Sequence, residues 1–575
     1  MPIALMIVLL RIILLIASFY GYVQWMSGKI RPEFSLGIMF SGIGSALFFA
    51  GILNILQETA WCIMLGGLFL AACSFKEKTS PKKILTTGVI FFLLAAVYFG
   101  VLLYGQKFVH YDDFSHWATA VKILIKNNRF PNFLDKNFTF SAYPLGSASI
   151  IYYFVQITGC TSEWMQMYAQ SLVMTSFAAG FFSLGKKYYS VVLAGTGSVF
   201  LLCSNLNFNV LLVDTLLPMA ALGAMAFCIY YSNENLSEKL YFLVPYTIFL
   251  ISIKNSGILF AIFIIVYALC CTGISRENRK AWAVLVSGPL LSLLLWQKHV
   301  KLVFKAGNLS KHSISFSNFD QIFQEKDFSN ILTISEAMLD KVLSVSNPAI
   351  IVLLMGMIIW IFWKYILKYD SKQTESIFLL TGISYIIYQL GTYGMYLFTM
   401  PVNEAVRLAG YDRYHNTILI FAMGLVLFQT MEGIRQIKSV RWGSLLACGL
   451  VLVSLSGAFV SLSPRLEYYS GQVTAGREQR AERQKFENII SDHNIKKGKN
   501  YIILVSQDRK DSGYLRYLSN YLLEPNQLKI QNDAQLKDIR FDNTDYIIVF
   551  NETEPIKIYI EQNLGNYPGP VIPIS

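Results

Sequence analysis

What most limits the folds open to this chain is the recurrence of apolar runs close to 20 residues long, the length a helix needs to cross a bilayer. About fourteen such runs are read, near 3–25, 34–56, 58–75, 84–104, 163–184, 190–205, 210–231, 240–254, 257–273, 281–297, 347–366, 375–397, 415–431 and 442–462. Only 15% of the 575 residues are charged and 54% are hydrophobic, whereas a soluble domain carries about 25% charged residues. The pattern therefore predicts an all-α polytopic membrane protein. The opening "MPIALMIVLLRIILLIASFYGYVQWM" has neither a basic leader nor a small-residue cleavage site, so it reads as the first span.

The net charge of +12 would suggest nucleic acid in a soluble protein. Here the Lys and Arg residues fall in short loops between the runs, which makes them topology signals. No basic, aromatic-interleaved domain is present, and no nucleic-acid partner is expected. Seven of the eight cysteines lie in apolar runs, without zinc spacing. They read as small apolar fillers.

Every second loop is basic: "SGKIRPE", "FKEKTSPKK", "GKK", "SRENRK", "KYILKYDSK" and "IRQIKSVR". The positive-inside rule assigns these to the cytoplasm. The alternate segments are then external: 105–162, "SNLNFN", a loop at 298–345, a loop at 398–414 and the tail from 463. The phase holds if 143–158, "YPLGSASIIYYFVQIT", is not a full span but an interfacial or re-entrant helix. The organisation expected is four membrane helices in 1–104, an external loop in 105–162, the remaining helices in 163–462 and an external tail in 463–575. Both termini come out external.

From about 485 the tail changes character. "YIILVS" and "DYIIVF" read as buried strands and "SGYLRYLSNYLL" as a helix between them. A small external α/β domain of βαβ type is predicted. It has no glycine-rich phosphate loop, so no nucleotide is expected there.

The stretch "KFVHYDDFSHWATAVKILIKNNRFPNFLDKNFTFSAYPLG" places unusual polarity beside an apolar run. Phe114, Trp117, Val121 and Leu124 or Ile125 recur at helical spacing, which predicts a helix from about Asp112. Trp117 suits the membrane interface. Lys122, Lys126 and Arg129 can face headgroups. Asp112 and Asp113 fall in the first helical turn, where the helix dipole favours them, and His116 lies on their side. One aspartate can cap the helix. A cap does not account for the pair together with its flanking imidazole. Two carboxylates here could accept a proton from an attacking hydroxyl, or could bind a divalent cation, Mg or Mn, with His116.

The segment "HYDDFSHWATAVKIL…FP…AYPLGSASIIYYFVQITG" resembles the first external loop of GT-C class integral membrane glycosyltransferases, among them bacterial members that modify envelope polysaccharide. Later elements resemble that class too: "VDTLLPMAALGAMAF" with Asp214, "FLISIKNSGILFAIF" with Lys254 and Gly257, and "NEAVRLAGYDRYHN" with Glu404, Arg407, Arg413 and Tyr414. All fall on the external side of the charge-derived topology. The resemblance implies a GT-C-like bundle in a bacterial plasma membrane, acting on the external face with membrane lipids around it. It implies a polyprenyl-phosphate-linked sugar as donor and an envelope glycan or lipid-linked acceptor. Asp112 and Asp113 are then the catalytic candidates. His116, Tyr143, Asp214, Lys254, Glu404, Arg407, Arg413 and Tyr414 are the substrate-binding ones. The class usually has one span before its acidic loop, and four precede it here.

The chemistry so implied is displacement at an anomeric carbon with inversion. A carboxylate base activates the acceptor hydroxyl, and cations hold the departing phosphate. Arg413 is nominated for the phosphate because of its planar fork, with Arg407 and Lys254 as alternatives. Three other classes compete: a transporter or flippase of lipid-linked saccharide, a polysaccharide polymerase or ligase, and a non-catalytic scaffold. A transporter would concentrate its charges at mid-bilayer.

Overall fold

The computed structural model describes residues 2–76, 84–185, 188–203, 210–304, 322–368, 372–436, 476–509, 513–565 and 569–574. The protein is mostly helical, with one small sheet near the C-terminus. Each predicted run through 415–431 falls on helix, while 442–462 lies outside the described residues. Seven helices are long and apolar enough to cross a membrane: Leu5–Ser27, Pro32–Ile52, Leu56–Ser74, Leu236–Ile253, Arg279–Val303, Pro348–Ile366 and Tyr411–Arg435. Shorter apolar helices occupy Thr87–Leu103, Ser190–Leu202, Leu216–Ser232 and Gly257–Thr272. The chain is a membrane-embedded protein on this ground.

The chain divides into two compact units. The first holds residues 1–107, 121–134 and 140–465; the second holds 108–120, 135–139 and 466–575. This differs from the division expected from sequence, which kept 105–162 together and apart from the tail.

In the first unit, helix Pro32–Ile52 is the most enclosed of the early helices, with Phe34, Phe40, Leu47 and Phe48 fully buried. Helices Pro2–Ser27 and Leu56–Lys76 pack backbone against backbone, because a Cβ on Gly21 would collide with the carbonyl of Gly67. Small residues at such crossings allow the close packing that drives helix association in lipid.

Segment 143–158 forms helix Gly146–Thr158, buried along nearly its whole length. It packs on helices Pro2–Ser27, Pro32–Ile52 and Glu163–Ala179, so it is enclosed by protein along its length.

Three of the basic loops assigned to one face, those around Arg31, Asn278 and Gln373, meet the 231–237 segment at one end of this bundle. Tyr231 Oη accepts from the Arg31 backbone N–H at 2.9 Å. Asn233 donates to Gln373 at 2.8 Å, and Asn278 donates to Ser237 at 2.9 Å. Asp214 precedes the other end of helix Leu216–Ser232, about 25 Å away at 1.5 Å per residue.

The predicted loop 298–345 is partly helical. Helix Arg279–Val303 runs on into its first residues, so His299 is a helical residue stacked on Trp296. His312 lies outside the described residues. Helix Phe328–Leu343 follows, capped by Asp327, whose carboxylate accepts from the Asn330 N–H at 2.7 Å. Its Ile334 and Met338 pack against Tyr396, Leu397, Met400 and Leu408. Two loops read as separate external segments thus form one layer.

The second unit contains strands β1 (Asn500–Val505), β2 (Gln527–Asn532), β3 (Tyr546–Val549) and β4 (Val571–Pro573), ordered β2-β1-β3-β4. β1 pairs in parallel with β2 and β3, and β4 is antiparallel to β3. Ile502 and Leu504 share a core with Ile547, Ile556 and Ile560, while Ile503 is equally buried from the other face. Burial on both faces is what an apolar central parallel strand requires. Helix Tyr514–Leu523 joins β1 to β2, so the βαβ unit closes on a strand that the sequence reading omitted. The first helix, Arg477–Asp492, extends this domain upstream of residue 485.

Candidate functional site

Four residues singled out by their sequence context converge in the first unit. The Lys254 ammonium lies 2.7 Å from Asp214 Oδ1, and Arg413 Nε lies 3.5 Å from Asp214 Oδ2. The Tyr414 ring is beneath both cations, with Lys254 Nζ 5.1 Å and Arg413 Cζ 5.2 Å from its centroid. The carboxylate side chain is 6% exposed, against 14% for Lys254 and 35% for Arg413. An approaching ligand therefore meets two cations, and the buried acid holds them in place. The cluster carries one net positive charge, which suits an anion.

Local backbone explains the convergence. Asp214 sits in a non-helical stretch before helix Leu216–Ser232. Lys254 ends helix Val244–Ile253 in an extended conformation, and helix Gly257–Thr272 starts three residues later. The Gly257 N–H closes that break on the Lys254 carbonyl at 2.8 Å. A Cβ on Gly257 would collide with the Leu250 carbonyl, so the tight break requires glycine there. Arg413 and Tyr414 lie in the first turn of helix Tyr411–Gln436.

Two supporting residues went unnoticed in the sequence. Buried Gln170 donates to the carbonyls of Val210 and Leu212 at 3.3 and 3.1 Å, gripping the stretch that carries Asp214. Lys326 is buried and donates to the Met400 carbonyl at 2.8 Å, bracing the loop that leads to Arg413. Burial lowers the Lys326 pKa. No periodicity or motif marks either residue, because each acts on backbone far away in sequence.

Glu404 and Arg407 occupy the short helix Val402–Ala405 and the turn after it. Glu404 is half-buried and Arg407 exposed. Neither joins the ion-pair cluster among the described residues. Tyr143 stacks on Phe140 with ring centroids 5.8 Å apart. Its neighbour Ala142 accepts a hydrogen bond from the Trp296 indole at 3.2 Å.

The acidic pair belongs to the second unit. Residues Asp113–Trp117 form a π-helical turn that runs into helix Ala118–Asn127. Neither aspartate is a helix cap of the usual kind, since Asp112 itself has helical dihedrals and makes no side-chain cap bond. Its backbone N–H donates to His110 Nδ1 at 3.1 Å. Asp112 is half-buried, whereas Asp113 is fully buried. Trp117 is only 7% exposed, so it packs inside the protein and does not anchor at an interface. It is buried together with Phe114, Val121 and Leu124, the other residues of the predicted stripe.

His116 is enclosed by Trp117 and Phe138, with ring centroids at 4.6 and 5.3 Å. Burial pushes its pKa down to about 3, which favours the neutral imidazole. Among the described residues no three His, Cys, Asp or Glu side chains are placed to hold a metal ion. Asp112, Asp113 and His116 form no such group.

Compared with models of protein families, with curated proteins and with solved structures, the chain matches none.

Proposed function

We propose that this chain is a membrane glycosyltransferase of the GT-C class, with about fourteen spans. It would transfer a sugar from a polyprenyl-phosphate donor to an envelope glycan or lipid-linked acceptor, at the external face of a bacterial plasma membrane. The observation that carries the reading is the meeting of Asp214, Lys254, Arg413 and Tyr414. These residues come from three separated stretches that each resemble an element of that class, and they lie at one end of the bundle.

The reaction follows from two kinds of group. The acceptor oxygen forms a bond to the anomeric carbon as its proton passes to a carboxylate. The bond from that carbon to the phosphate oxygen breaks, and the electron pair leaves with the polyprenyl phosphate. Lys254 and Arg413 stabilise the charge that develops there. Asp112 takes the role of base over Asp113, because a base must reach a substrate proton and Asp113 is fully enclosed. Attack opposite the leaving group inverts the anomeric configuration.

Charge placement favours this over transport. Glu33, Asp214, Lys326 and Glu432, the buried charged residues described in the first unit, lie in loops or within about a turn of a helix end. A transport path would hold them midway across the bilayer.

The test is direct. Purified protein in lipid nanodiscs is given a short-chain polyprenyl-phosphate hexose and a panel of glycan acceptors, with appearance of free polyprenyl phosphate measured. Acceptor-dependent release and an inverted linkage are expected. Movement of intact donor across the bilayer with no release would replace the enzyme by a transporter.

A further inference from the structure

The second unit joins stretches that are remote in sequence, and the join is built around one buried side chain. Arg483, on helix Arg477–Asp492, is 4% exposed. One edge of its guanidinium donates to the carbonyl oxygen of Phe108, 375 residues away. Its Nε donates to Glu487 at 2.9 Å, one turn on. Its face lies 5.6 Å from the centre of the Phe114 ring. Phe108 and Phe114 bracket Asp112 and Asp113, so a single guanidinium grips the acidic segment on both sides.

A second helix completes the grip. Tyr514, Tyr517 and Tyr521 stand at the spacing i, i+3, i+7, which puts them on one face of helix Tyr514–Leu523. Tyr517 packs edge-on against Tyr111 at 5.2 Å. Tyr514 and Tyr521 meet Phe114 at 5.7 and 5.2 Å. Helix Tyr514–Leu523 joins β1 to β2, and Phe486 of helix Arg477–Asp492 packs edge-on against Phe550, just after β3, at 5.9 Å; the Ile-rich core of the sheet does not include the acidic segment.

We propose that the C-terminal α/β domain is the scaffold of the acidic segment and that Arg483 is its positioning residue, fixing the turn that presents Asp112. The proposal rests on the glycosyltransferase reading for its catalytic consequence only; the scaffold itself stands on the contacts. An Arg is suited to the task because one planar group can donate along its edge while it stacks through its face. A lysine there keeps the charge but cannot do both.

The experiment uses the full chain in nanodiscs, with Arg483→Met, Arg483→Lys and the milder Tyr517→Ala. Amide hydrogen exchange is followed over residues 108–120, and turnover is followed with a short-chain polyprenyl-phosphate hexose. Exchange in that segment should accelerate in Arg483→Met, and less in Arg483→Lys and Tyr517→Ala, while peptides from β1 and β3 keep their protection. Turnover should fall by about 10- to 100-fold in Arg483→Met with the donor KM unchanged, because displacing a catalytic group by about 1 Å costs on this order. Arg483→Lys should recover part of it. Unaltered exchange over 108–120 in both Arg483→Met and Tyr517→Ala would overturn the proposal. Faster exchange with unaltered turnover would uphold the scaffold and instead remove Asp112 from catalysis.

Discussion

The protein holds its acids in two different ways. Asp214 is bound by two cations, Lys254 and Arg413, drawn from helix ends far apart in sequence. Asp112 precedes, and Asp113 opens, a π-helical turn gripped through its aromatic neighbours by Arg483 and a tyrosine face. In the first arrangement the carboxylate is structural: it orients cations that remain partly exposed. In the second, the surroundings fix the backbone and leave one carboxylate half-exposed. The contrast suits a phosphate site in one place and a proton acceptor in the other.

The sharpest way to break this contrast is to remove the acids singly. Asp112→Asn should cut turnover by about two to four orders of magnitude, the usual cost of a lost general base, with thermal stability close to wild type. Asp113→Asn should mainly lower stability, by about 1–3 kcal/mol for an altered buried polar group. Equal turnover losses with equal stabilities would erase the distinction between the two aspartates. Removing Asp214 tests the other side. Asp214→Ala leaves Lys254 and Arg413 without their counter-ion and should cost about 3–5 kcal/mol in thermal unfolding.

His116 sharpens the comparison through pH. Its folded pKa is pushed down to about 3 from an ordinary 6.5. Between those values the unfolded chain takes up a proton that the folded chain refuses, so stability is retained above 6.5 and lost as pH falls. The slope is at most about 1.4 kcal/mol per pH unit, or about 2 kcal/mol between pH 6.5 and 5. Hydrogen exchange over 108–120 should therefore accelerate on acidification, and His116→Asn should flatten that response. The smallest effect expected is at Gln170. Gln170→Leu removes two hydrogen bonds to the stretch before Asp214 and should weaken donor binding by about 3- to 10-fold, measured by titration calorimetry.

Much of this architecture is written locally. Apolar runs marked the helices because bilayer thickness sets their length. The division between the runs 240–254 and 257–273 falls at a real helix break, where only glycine fits at position 257. β1 and β3 were legible as Ile-rich strands. β2 was not, since "QLKIQN" is an edge strand whose side chains are all half-buried or exposed. The stripe of Phe114, Trp117, Val121 and Leu124 was legible as a buried face, but the π-helical turn within it was not, because no spacing marks one. The union of 108–120 with the C-terminal domain was invisible for another reason. It depends on contacts such as Arg483 with Phe108, across 375 residues, and no local pattern encodes a pairing at that range.

The central claim is that base and phosphate site are distinct, and one paired measurement addresses it. Donor affinity and single-turnover release of polyprenyl phosphate are measured for wild type, Asp112→Asn and Arg413→Ala in the same nanodiscs. Arg413→Ala should weaken donor affinity by about 10- to 100-fold, the loss of a charge-assisted hydrogen bond. Asp112→Asn should bind donor as wild type does and release almost none of it. If Arg413→Ala binds normally and Asp112→Asn turns over normally, the separation of roles does not exist and the glycosyltransferase account is contradicted.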